Sequence, residues 1–161
     1  MATTVASDQD LQRFREIEPR ILTLKTPLVA TGMTRELLAQ GDHSTLRIHC
    51  YASGMGEDHG LHAHVEEEHA FIVLMGTVQF HGIGGKLPPL GKNQGIYLPK
   101  GCFYEFVNIG TDPLVVLRFG ATAEKILNTS RVTPSGEPIP GRSTKHPHLN
   151  KPTFIEDAFF E

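Results

Sequence analysis

The chain has 161 residues, 39% of them apolar, and a formal net charge of −3 with no run of Lys or Arg. That length and apolar share fill one core rather than two, and so small a negative charge gives no long-range attraction for nucleic acid or anionic lipid, leaving a small-molecule partner as the expectation. Sixteen Gly and eleven Pro argue against a helical bundle, because both weaken helix interiors and suit turns.

Residues 1–19 read as a polar arm. MATTVASDQDLQRF has neither the basic start nor the apolar stretch of a signal peptide, and Ser7 can cap a short helix over Ser7–Ile17 that Pro19 ends. From Ile21 the pattern changes to short apolar runs: ILTLK, PLVATG, TLRIHCYASG, HAFIVLMG, TVQFHGIG, GIYLPKG, CFYEFVN and PLVVLRFGA. Each is bounded by turn-forming residues, as strands are. MTRELLAQGD, Met33–Asp42, reads instead as a short helix closed by Gly41. Many short strands without long helices between them predict an all-β sandwich or barrel over 20–128, such as a jelly roll. Residues 129–161 read as an irregular Pro-rich tail that wraps a surface or crosses to a partner subunit, since FIEDAFFE carries aromatic rings that need cover. No internal repeat is present, so one domain over 1–161 is expected. No segment reaches the roughly 18 apolar residues of a membrane span. A cytoplasmic location is expected, with Cys50 and Cys102 as reduced core residues.

Nine histidines occur, and His59, His62, His64 and His69 fall within eleven residues. On an extended strand His62 and His64 face the same side, so both rings can reach one ion at about 2.0–2.1 Å. His59 lies in a Gly-rich loop and reads as solvated or at a pocket mouth. His49 and His81 alternate with apolar residues and read as structural. His146 and His148 read as exposed, and Glu66 with Glu67 as a solvated acidic turn whose charge favours a cation nearby.

The spacing around these histidines resembles the two motifs of the cupin superfamily. For G(x)5HxH(x)3–4E(x)6G the chain offers Gly56, His62, His64, His69 and Gly76; for the PxG(x)2H(x)3N part of the second it offers Pro99, Gly101, Tyr104 and Asn108. It departs where His69 replaces the family's Glu, Tyr104 replaces the last His, and Asn93 stands at the second motif's leading Gly. The resemblance implies a double-stranded β-helix, the jelly-roll cupin barrel, and one divalent transition metal. Its ligands would be His62, His64 and His69, with Tyr104 as a fourth ligand or a close neighbour. Glu68 competes with His69, because three residues after His64 also fit the motif, yet a regular strand cannot turn both inward. In CFYEFV, alternation puts Cys102, Tyr104 and Phe106 on one face. Beside a dication Tyr104 can bind as phenolate or stay a phenol that acts as catalytic acid or base.

Three neutral imidazoles leave the ion's charge uncompensated and positions open for substrate. Ferrous iron is favoured, and Mn, Ni or Zn also suit such ligands. Cupins similar to this chain in carrying three histidines include iron dioxygenases, so the resemblance implies a non-haem iron dioxygenase acting on an enol, diketone or aromatic chelating substrate. The alternatives are a metal-dependent lyase or isomerase in which Tyr104 moves the proton, and a non-catalytic small-molecule-binding cupin. A pocket walled by Phe71, Val73, Leu98, Cys102 and Phe106 is expected. Both faces of the FIVLM run are apolar, so a homodimer paired sheet to sheet is expected as well.

Overall fold

In the computed structural model, which describes residues 5–56, 60–123, 130–139 and 151–161, one short helix precedes a series of strands. Helix α1, Asp8–Phe14, begins at Ser7, whose hydroxyl accepts from the Asp10 amide while the Asp10 carboxylate reaches back to the Ser7 amide. This reciprocal cap satisfies donors that the first turn leaves open. The strands are β1 Thr26–Thr31, β2 Met33–Gln40, β3 Ser44–Tyr51, β4 Ala63–His64, β5 Glu67–Met75, β6 Val78–Gly82 and β7 Gly85–Lys86. They continue as β8 Gly95–Leu98, β9 Tyr104–Asn108, β10 Leu114–Thr122, β11 Arg131–Val132, β12 Pro138–Ile139 and β13 Thr153–Phe160.

A five-stranded sheet in the order β2-β3-β10-β5-β8 faces a smaller sheet, β7-β6-β9. Between them lies an apolar cluster that includes Tyr51, Phe71, Val73, Phe80, Leu98, Tyr104, Phe106 and Val116. Burying each such Phe is worth about 1.5–3 kcal/mol. The outer face of β3 and β10 is covered by the chain itself: β1 pairs with β13, and Leu28, Val29 and Phe160 pack on Ile48, Cys50 and Val115. Together these layers form the jelly-roll barrel.

Two motif glycines hold the sheets close. A Cβ on Gly56 would run into the Phe106 carbonyl, and Gly76, at φ +84°, lies so near Pro113 and Leu114 that a Cβ would stand 2.8 Å from the Pro113 oxygen.

Three expectations from the sequence are corrected here. Met33–Gln40 is strand β2, not a helix: seven of its residues register with β3, and this pairing overrides the helix propensity of Glu, Leu and Ala. Residues 21–25 form no strand; Ile21 is exposed and only Leu24 packs, against the outer cluster. The tail beyond 128 is also less irregular than its composition suggests, since β13 closes on β1, and β11 pairs with β4 and β12. His146 and His148, like His59, lie outside the described residues.

His49 on β3 is buried, with Nδ1 2.9 Å from the Tyr51 hydroxyl. Burial first, then the charges of Arg35, Arg118, Arg47 and His69, hold its imidazole well below the usual value. An unfolded imidazole takes up its proton near pH 6.5, whereas the folded one does so only at lower pH. Stability from this group is therefore complete above about pH 6.5 and declines below it, by up to about 1.4 kcal/mol per pH unit. Urea midpoints measured from pH 8 to pH 5 should fall, and the fall should be shallower in His49→Gln. Parallel profiles for the two proteins would contradict this.

Candidate metal centre

Backbone pairing brings the site residues together before any side chain is considered. His62 and Tyr104 form a bridge with both hydrogen bonds made, His62 N to Tyr104 O at 3.1 Å and Tyr104 N to His62 O at 2.8 Å. His64 pairs with Arg131 on β11. His69 lies between Leu98 on β8 and Gly120 on β10. On β5 alternation is strict, with Glu67, His69, Phe71 and Val73 buried. Glu68 turns outward, where its carboxylate takes a hydrogen bond from Tyr97 and pushes that phenol's pKa up. Of the two competitors, His69 is the inward residue.

The rings converge. His62, His64, His69 and Tyr104 are all buried, with centroids 5.3 Å apart for His62 and His64, 4.2 Å for His64 and His69, and 4.7 Å for His62 and Tyr104. His62 Nδ1 is 2.8 Å from the Gly60 carbonyl; as an N–H donor it leaves the lone pair on Nε2. The Tyr104 hydroxyl is 3.0 Å from His69 Nδ1, so it sits behind a ligand candidate and fixes that ring. Phe71, Val73, Leu98 and Phe106 belong to the apolar cluster beneath these rings, with Cys102 partly buried against it.

Glu67 is the residue that sequence reasoning misplaced. Read as part of a solvated turn, it is 4% exposed and stands among the histidines. Its Oε2 is 3.0 Å from His69 Nε2 and 3.5 Å from His64 Nδ1, while its Oε1 is 3.2 Å from Arg118 Nη2. Burial opposes its ionisation, but the hydrogen bond to His69 and the Arg118 guanidinium outweigh that and keep its pKa below the ordinary carboxylate value. The available signal was the alternation itself: if His69 faces inward, so does the residue two before it. Gly120 makes the space, because a Cβ there would collide with Glu67 Oε1.

Ligand atoms of His64, Glu67 and His69 all lie within 4.8 Å of one another. Donors about 2.1 Å from one ion and at right angles stand about 3 Å apart, which the Glu67 Oε2 distances of 3.0 and 3.5 Å approach. His64 Nδ1 is buried without a hydrogen-bond partner, and burial, followed by the charges of His69 and His62, pushes its pKa far down, keeping it neutral as a ligand must be. His69 Nε2 touches both Glu67 Oε2 and Arg118 Nη2. As a donor it opposes the guanidinium, and as an acceptor it opposes the carboxylate. A cation between Nε2 and Oε2 would satisfy both lone pairs, so the donor set fits a metal ion.

Residues 53–119 match a family model described as a cupin domain. The matched segment carries His62, His64, Glu67, His69 and Tyr104, and the jelly-roll barrel is built around it. Among solved structures, the fold is similar to a candidate sugar phosphate isomerase from Acidithiobacillus ferrooxidans (TM-score 0.54, 18% identity, 81% of each chain covered). It is also similar to the Cnp3 cupin domain of Schizosaccharomyces pombe (TM-score 0.52, 15% identity), covering 56% of this chain and 64% of that one. KdgF from Halomonas sp. is a third (TM-score 0.50, 19% identity), with 56% of this chain and 79% of that one covered. These likenesses show the fold. No curated protein matches the sequence. No helix among the described residues is long and apolar enough to cross a membrane.

Proposed function

We propose that this chain is a metal-dependent cupin enzyme for a small chelating organic substrate, and specifically a non-haem iron dioxygenase. The observation that carries the reading is the buried cluster of His64, Glu67 and His69. Two imidazoles and one carboxylate with open positions are the donor set of non-haem Fe(II) oxygenases. The ion so held would supply redox chemistry and sites where an enol, diketone or aromatic substrate can chelate. His62 stands beside the cluster as a further ligand. Glu67 supplies the negative charge that three neutral histidines lack, and Arg118 on its second oxygen aims the first toward the ion. Phe71 and Phe106 wall the site from below and exclude water from that side.

Tyr104 favours a second reading. Its hydroxyl, bonded to His69, can hold a proton beside the substrate and return it, which is the role needed in a lyase or isomerase. Iron-loaded protein is expected to consume oxygen in step with loss of a chelating diketone or catechol. Turnover at the same rate without oxygen would replace the dioxygenase with the lyase or isomerase. Tyr104→Phe should retain one metal per chain and lose turnover by roughly 10²-fold or more, the usual contribution of a positioned acid or base. Full activity in that variant would remove Tyr104 from the chemistry.

The assembly is proposed to be a homodimer. Supporting it, Ile72, Tyr97 and Phe119 are exposed on the outer face of β5, β8 and β10, with Phe119 and Tyr97 both registered against Ala70. Light scattering at micromolar concentration should give twice the chain mass, and a purely monomeric species would exclude it.

A further inference from the structure

We infer that the Arg118 guanidinium holds the cation's place at His69 in the metal-free protein, and that it pivots from His69 to the Thr45 hydroxyl when a metal ion binds. The inference rests on the metal-dependent reading above and adds the internal group that an incoming ion must displace.

His69 Nε2 is where two claims meet. Arg118 Nη2 touches both this nitrogen and Glu67 Oε1, the latter at 3.2 Å, and the other carboxylate oxygen of Glu67 is 3.0 Å from the same Nε2. The guanidinium therefore bridges the two residues that would share an ion, and it brings the positive charge that the carboxylate requires. An imidazole nitrogen offers one proton or one lone pair, and guanidinium nitrogens only donate. Whichever tautomer the metal-free protein holds, an ion ligated by Nε2 takes the lone pair, and no N–H of Arg118 can then use it. Binding at His69 thus requires Nη2 to leave, while its bond to Glu67 Oε1 can stay.

A second, independent observation marks where it goes. Thr45 on β3 is 5% exposed, and its Oγ1 is buried without a hydrogen-bond partner. Thr45 stands opposite Gly120, which lies two residues beyond Arg118 and so on the same face of β10. The missing side chain at Gly120 lets these groups meet: a Cβ there would lie 2.2 Å from Glu67 Oε1 and 3.0 Å from Thr45 Oγ1. The unpartnered hydroxyl therefore borders the carboxylate oxygen that Arg118 already holds. Enclosed polar atoms without partners are rare. A guanidinium turning about Glu67 Oε1, away from His69, gives Thr45 Oγ1 a donor, and its several N–H groups allow both bonds at once. The Arg118 side chain keeps 14% of its surface, against 1% for His69 and 4% for Glu67. It is the least enclosed of the three and the one with room to move.

The test compares crystals of the full chain without metal and after soaking in Zn(II). Metal-free crystals should show Arg118 Nη2 at hydrogen-bond distance from His69 Nε2. Soaked crystals should show Zn(II) on that nitrogen, with the guanidinium withdrawn, still bonded to Glu67 Oε1 and now donating to Thr45 Oγ1. In solution, Thr45→Val should weaken Zn(II) binding by about twofold to tenfold, the worth of one hydrogen bond, while the urea midpoint of the metal-free protein stays at or above the wild-type value. Thr45 is thereby distinguished as a positioning residue for the displaced guanidinium from a residue that merely supports the fold. A guanidinium in the same place in both crystals, or wild-type Zn(II) affinity in Thr45→Val, overturns the inference and leaves intact a metal site held by His64 and His69. No Zn(II) at His69 after soaking overturns the inference and the metal-dependent reading together.

Discussion

Protein in which His64 and His69 are both replaced by alanine is expected to purify folded and to bind Fe(II) or Zn(II) more than 100-fold more weakly than wild type. Loss of groups that merely support a ligand lowers metal affinity by about 10–100-fold, and this variant removes two proposed ligands outright. The remaining candidates, His62 and Glu67, cannot surround an ion alone. His62→Ala with His64→Ala should behave alike, because it removes one whole side of the cluster, whereas Glu68→Ala should leave affinity unchanged, since that carboxylate faces Tyr97 on the outer surface. Competition against a chromogenic chelator measures all of these. Wild-type affinity in the His64/His69 double variant would place the metal elsewhere.

Glu67→Ala is expected to cost the metal-free protein about 3 kcal/mol of stability, read from urea unfolding. Removing one partner from a buried ion pair costs about 3–5 kcal/mol, because the other charge is left uncompensated. The low end applies here, since the Arg118 side chain keeps 14% of its surface. The loss should be sharpened by Arg47, directly across from Arg118. Replacing the pair together, Glu67→Leu with Arg118→Met, should recover most of the stability, as apolar substitutes for buried pairs commonly do, while metal affinity stays low. That separation of folding from metal binding distinguishes Glu67 as a ligand from Glu67 as a structural counterion. A change of less than about 0.5 kcal/mol in Glu67→Ala, the range of ordinary surface substitutions, would mean that the carboxylate is not held as described.

The barrel was legible because its signals are local and redundant. Turn residues bound most strands, and the close approaches at Gly56 and Gly76 leave their mark as glycine at fixed spacing from the histidines. Period-two alternation made His62 and His64 visible as a pair, and the motif spacing singled out His69 and Tyr104, which the structure places beside them through the bridge of His62 to Tyr104 and the inward face of β5. Failures arose where distant parts of the chain decide. MTRELLAQ has the composition of a helix, and only its neighbour β3 makes it a strand. The tail segment Thr153–Phe160 gains its order from β1, more than a hundred residues earlier. Glu67 looked solvated because EEE is a surface pattern by composition; its partner Arg118 and the gap at Gly120 come from β10. A buried carboxylate, Glu67, thus stands within reach of two of the three histidines singled out from the sequence.

The most direct measurement is an anomalous-difference map from crystals of protein expressed without added metal, collected on both sides of the iron absorption edge. A single peak per chain within bonding distance of His64, His69 and the Glu67 carboxylate is the expected result. Crystals in which the Arg118 guanidinium fills that position, with no peak even after soaking in ferrous salt, would contradict the metal centre and the chemistry built on it.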